Sequence, residues 1–302
     1  MHKFLAACQN GHLDKIKRLA EEHDIKDWTI YRHKTTGDTA LHLAARQGHL
    51  EVVHHLCENW PHLEKVVVDA ANFDMKRPLH EAAQFARKRI LRYLLHFGAE
   101  VDALKRADWT PLMLACTQGG SDALECVETL LDYGSNSRLR NKDGWTPLLL
   151  ASRTGEPRIV QLLIDFSPEC VDDRSNNKRS ALHIAAFHAH RDVVDLLLKA
   201  MPELLEARDS AGCTPLLESV KSKDPGITRH LIEQGANVEA LDNIGQNLVH
   251  VAASVGNVTV IRYALTKLGE HFRGATDRFG VTPLQIAKKN KQIETARLLD
   301  FC

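Results

Sequence analysis

Thr39-Ala40-Leu41-His42-Leu43-Ala44-Ala45 is the stretch on which the fold turns, because it recurs in altered form along the whole chain. RPLHEAA follows at 77–83, TPLMLAC at 110–116 and TPLLLAS at 146–152. SALHIAA (180–186), TPLLESV (214–220), NLVHVAA (247–253) and TPLQIAK (282–288) complete the set. Successive starts lie 33 to 38 residues apart. A period in that range marks stacked units, none of which can bury its apolar face alone.

Each position of the phrase has a physical reason. Thr or Ser at the head can accept from a helix N-terminal N–H, and Pro fits the next position, where an N–H would lack a partner. Leu followed by two small residues gives a narrow helix face that lets neighbours approach. A second apolar stretch follows each phrase, at 52–56, 90–95, 159–164 and 193–198 among others, and reads as a short amphipathic helix. Gly11, Gly48, Gly155 and Gly256 fall between the paired helices, where left-handed backbone ends the first; Ala86 and Ala189 stand there in two units, at a cost of ~1 kcal/mol each. Gly98, Gly134 and Gly235 end second helices. Polar turns such as NKDGW (141–145), DSAGC (209–213), DNIGQ (242–246) and DRFGV (277–281) join the units.

Phrase, period and turn resemble the ankyrin family over nearly the whole chain. The resemblance implies an all-α ankyrin-repeat solenoid of about nine units, caps included. We expect one domain over 1–302: an N-terminal cap and first finger (1–36), internal repeats (37–273) and a C-terminal cap repeat (274–302), the last ending on an apolar Phe301-Cys302.

The bulk numbers limit function. The 302 residues carry 39 basic and 39 acidic side chains, so nothing draws the whole chain to nucleic acid or to an anionic membrane. The seven cysteines show no metal-ligand spacing and fit a reducing compartment. The N-terminus has no leader-like apolar run, and no stretch has the ~20 apolar residues of a membrane helix. These features predict a cytoplasmic protein, present in the nucleus as well, monomeric and without membrane contact. No hydrolase, phosphate-loop or zinc-protease motif occurs. His42, His80, His183 and His250 share one slot of the phrase and read as hydrogen-bonding residues of the turn rather than metal ligands. No enzyme activity, cofactor or metal is expected.

A partner protein is expected on the fingers and first helices. The residue before each phrase projects from its finger in this reading: Asp38, Lys76, Trp109, Trp145, Arg179, Cys213, Gln246 and Val281. Trp109 and Trp145 are the candidate anchors, flanked by Lys76 and Arg179, with Arg153 and Phe187 added from first helices. Packing of each Trp on its neighbouring finger is the structural alternative. The basic fingers, with Lys105, Arg106, Arg138, Arg140, Lys142, Arg174 and Lys178, read either as a solvated turn face or as a ridge matched to an acidic protein surface. RNA is disfavoured by the scarcity of stacking aromatics.

Residues 72–83, 104–117, 141–145 and 151–157 also resemble the ankyrin-repeat cofactors of alanyl-tRNA synthetase. That resemblance implies binding to the synthetase catalytic domain, a role in limiting serine mischarging, and lysines that accept misactivated serine. One such lysine falls on Lys142; a second falls on Arg106, with Lys105 adjacent; the third falls on Asp172. Lys142 and Lys105 are therefore the candidate acyl acceptors. A general adaptor for another cytosolic or nuclear protein is the alternative reading.

Overall fold

A computed structural model describes residues 2–60, 68–222 and 224–300. They form paired helices joined by turns; among them no sheet occurs, only two isolated bridges, Lys105 to Trp109 and Arg174 to Ser180. Part of the long interval expected after the first phrase, 61–67, lies outside the described residues, as do Lys223, Phe301 and Cys302.

The chain divides into two compact units, Met1–Thr154 and Gly155–Cys302. The first holds the helix pairs His2–Gln9 with Leu13–Glu22, Ala40–Gln47 with Leu50–Glu58, Pro78–Gln84 with Lys88–His96, and Pro111–Ala115 with Ser121–Asp132, then the helix Pro147–Thr154. The second opens with Pro157–Phe166. It continues with Ala181–Phe187 and Arg191–Ala200, Pro215–Ser219 and Pro225–Glu233, Leu248–Val255 and Val258–Tyr263, and Pro283–Lys289 and Ile293–Asp300.

In each pair the phrase becomes the inner helix and the following apolar stretch the outer one. Inner helices pack on inner helices, as Ala40–Gln47 does on Pro78–Gln84 and Ala181–Phe187 on Pro215–Ser219. The small residues make this approach possible: Ala44, Ala45, Ala82, Ala83, Ala185, Ala186, Ala252 and Ala253 are all fully buried. Thr110, Ser180, Thr214 and Thr282 cap their helices by accepting from a backbone N–H three residues on. Thr146 does not: its buried Oγ1 has no hydrogen-bond partner among the described residues.

The inter-helix glycines take left-handed backbone, and Ala86 and Ala189 adopt it too, at φ 51° and 60°. At Gly155 a side chain would also collide, since a Cβ would lie 2.3 Å from Nδ1 of His190.

Candidate protein-binding surface

The surface is built from the fingers. Within five of the turns an Asn or Asp folds the backbone over itself. Asn72 Oδ1 accepts from the N–H groups of Asp74 and Lys76, and Asn141 Oδ1 from those of Asp143 and Trp145. Asp209, Asp242 and Asp277 repeat the device in the second unit. Neighbouring fingers share a backbone hydrogen bond. In the first unit Phe73 N–H donates to Thr36, Arg106 N–H to Asp74 and Lys142 N–H to Ala107.

The recurring histidine locks four of the fingers to the repeat before them. In His42, His80, His183 and His250, Nδ1 accepts from the backbone N–H at the head of its own phrase. Nε2 then donates to the carbonyl of Lys76, Trp109, Cys213 and Val281 respectively, at 2.8 to 3.2 Å. That pattern requires the neutral imidazole with its proton on Nε2. Burial, the leading cause, pushes all four below the usual histidine value, His80 to about 4. The expected turn-bonding role is what the structure has.

Trp109 and Trp145 occupy the same slot of adjacent fingers in the first unit, and both are half-buried. Each carries a cation over its ring: Lys105 Nζ lies 5.8 Å from the Trp109 centroid, and the Arg153 guanidinium 5.9 Å from that of Trp145. Such contacts hold an indole in place at little entropic cost while part of it faces water. Arg153 and Lys142 are exposed; Lys105 is largely covered and reaches Asp74 Oδ2 at 3.4 Å.

Asp38 and Lys76 do not project from their fingers. Asp38 is buried, because Arg46 Nη2 reaches its Oδ2 at 2.8 Å and Asn72 Nδ2 its Oδ1 at 2.6 Å. Lys76 turns inward, to Gln84 Oε1 at 2.5 Å and Glu81 Oε1 at 3.3 Å. Arg46 also grips both oxygens of Glu81, which has 0% of its surface exposed. Burial alone would raise the Asp38 and Glu81 carboxyls; hydrogen bonds and the nearby positive charges outweigh it and hold both below the usual range. With Asn72, Phe73 and Arg106 this network lines a cleft of about 450 Å³.

In the second unit Cys213, expected to project, is buried, and burial pushes its thiol up to about 11. Arg179 is committed to Glu218 at 2.9 Å and Asp209 at 3.7 Å, while Lys221 reaches Glu218 at 2.7 Å. Asp209, Cys213 and Glu218 place possible ligand atoms within 4.8 Å of one another, yet these two cations already neutralise the carboxylates. Phe187 is exposed and meets His188 edge-on. Asp172 is exposed and pairs with Arg174.

The repeats are identified by comparison as well as by geometry. Residues 4–69, 62–141, 79–170, 112–206, 166–242 and 216–300 each match the model described as ankyrin repeats (3 copies). The chain belongs to the ankyrin-repeat family. Repeats of this family are protein-interaction modules, and the chain is a protein-binding scaffold of that kind. It is 26% identical over 261 residues to the B-cell lymphoma 3 protein homolog of Mus musculus, covering 86% of this chain and 50% of that protein. It is 27% identical over 269 residues to transient receptor potential cation channel subfamily A member 1 of Drosophila melanogaster, covering 86% and 19%. To the nuclear factor NF-kappa-B p105 subunit of Gallus gallus it is 30% identical over 117 residues, covering 37% and 12%. The chain thus spans half or less of the length of these relatives. Among its described residues no helix is long and apolar enough to cross a membrane.

Proposed function

We propose that a partner protein docks on the fingers and inner-helix ends of the first unit, with Trp109 and Trp145 as anchors. The observation that carries this is the pair of half-buried indoles in one slot of adjacent fingers, each with a cation over its ring. Aromatic residues held this way concentrate binding energy. Arg153 contributes directly beside Trp145, whereas Lys76 acts from within the Glu81 network. Arg179 and Phe187 are the corresponding contacts of the second unit.

The partner that fits the sequence best is the catalytic domain of alanyl-tRNA synthetase. The support is the likeness of residues 72–83, 104–117, 141–145 and 151–157 to ankyrin repeat domain-containing protein 16, a cofactor against serine mischarging. Exposed Lys142 is the better acceptor there, since Lys105 is packed on Trp109. In that step Nζ would form an amide with the seryl carbonyl of the adenylate. The anhydride C–O bond would break, AMP would leave with the electron pair, and the amine would lose a proton to water. We place the protein in the cytoplasm and nucleus as a monomer. The alternative, an adaptor for a different protein, is favoured by the 86% coverage against the B-cell lymphoma 3 homolog. Titration of the chain with the purified synthetase catalytic domain, in the presence of serine and Mg-ATP, decides between them: saturable binding with seryl-Lys142 in mass maps is the expected result, and no binding leaves the adaptor reading.

A further inference from the structure

We infer a second docking surface on the outer helices of the first unit, shaped for an acidic amphipathic helix of a partner protein. A groove of about 400 Å³ runs between Leu50–Glu58 and Lys88–His96 and ends at Tyr133. Its working residues are His54, Arg89, Arg92, Tyr93, His96 and Tyr133, none of which belongs to the fingers.

The side chains of Arg89 and Arg92 are exposed and make no hydrogen bond or ion pair with any described residue. Three acids of the flanking outer helices are already engaged: Asp122 and Glu125 both hold Lys88, at 3.0 and 2.6 Å, and Glu58 accepts from the Tyr93 hydroxyl at 3.0 Å. Two guanidinium groups one helical turn apart, with His96 a turn further on, suit carboxylates three or four residues apart on a facing helix. Between them lies an apolar strip. Tyr93 is stacked against His54 at 4.2 Å and Phe97 at 5.6 Å, and Tyr133 is exposed at the groove's end. A helix laid between two helices, with apolar residues inward and acids beside them, meets both features.

Nucleic acid fits less well. Residues 1–154 hold 21 basic and 20 acidic side chains, far from the excess that binding phosphate backbones needs. Stacking bases also need open ring faces, and Tyr93 already stacks on His54 and Phe97.

The test is selection of a displayed helical-peptide library on the full chain, with the charge reversal R89E/R92E and the finger variant W109A/W145A as comparisons. The expected winners carry Glu or Asp three or four residues apart beside apolar positions. They should lose at least ten-fold in affinity on R89E/R92E, regain it when their acids are changed to Lys, and bind W109A/W145A like wild type. Four results would overturn the inference: no enrichment, winners without acidic bias, equal binding to R89E/R92E, or tighter binding of a (dT)15 oligonucleotide than of the selected peptide.

Discussion

Glu81 in the first unit and Glu218 in the second stand at the same place in their repeats, five residues into the phrase, and are equally buried. The other six repeats put Leu, Ile or Val there. Yet the two carboxylates are neutralised from different directions. Glu81 is held by Arg46, eight residues after the preceding finger's Asp38, and by Lys76 of its own finger. Glu218 is held by Arg179 of the preceding finger and by Lys221, eight residues after Cys213 of its own. The repeat frame decides that this slot is buried. Which cation answers a charge placed in it is decided pair by pair, and that choice determines which side chains remain for a partner.

The sharpest way to break the comparison is to remove one cation from each network. Arg46→Ala strips both Asp38 and Glu81 of their guanidinium and should cost ~3 kcal/mol, since it leaves buried charge poorly paired. Arg179→Ala leaves Lys221 on Glu218 and the turn N–H groups on Asp209, so the loss should be nearer ~1 kcal/mol. Urea unfolding of both variants measures the difference; equal losses would mean that the networks are equivalent.

Acid should also separate carboxylate from imidazole contributions. The unfolded chain takes up protons near pH 6.5 that the buried histidines refuse until about pH 4 in the case of His80. Stability therefore falls as pH drops through that window, by on the order of 3 kcal/mol for His80 alone. Asp38 and Glu81, held low, extend the loss below their ordinary range. Unfolding free energies measured from pH 7.5 to 4 should decline steadily, and His80→Gln should flatten part of the slope at the expense of stability at pH 7.

The smallest expected effects are gains. Ala86→Gly and Ala189→Gly relieve left-handed alanines in the first and second units and should each stabilise by ~1 kcal/mol. Equal gains in thermal melts would mark the turns as equivalent where the glutamate networks are not.

Much of this was legible in the sequence, because it is local or periodic. The phrase gave inner helices, the small pairs gave their close packing, and four histidines in one slot gave the finger locks. What the sequence hid depends on partners a repeat away. Arg46 and Glu81 lie 35 residues apart, and nothing at Glu81 alone says that it is buried rather than solvated. For the same reason the sequence places Asp38, Lys76 and Cys213 in the slot of their Trp counterparts without showing the buried neighbours that draw them in. Backbone strain was hidden as well: Met75, Asp108 and Lys178 take left-handed backbone, at φ 58° to 61°, where other fingers use Gly. Arg89 and Arg92 read as ordinary helix surface until the groove beside them was in place.

Whether the indole-bearing fingers hold a partner is tested most directly by affinity purification of the wild-type chain and of W109A/W145A, with thermal melts alongside. Truncating such anchors should remove ~2 kcal/mol or more of binding each, so the specifically co-purified proteins should fall at least ten-fold while the melts stay close. Undiminished recovery by the double variant, with its fold intact, would contradict that role.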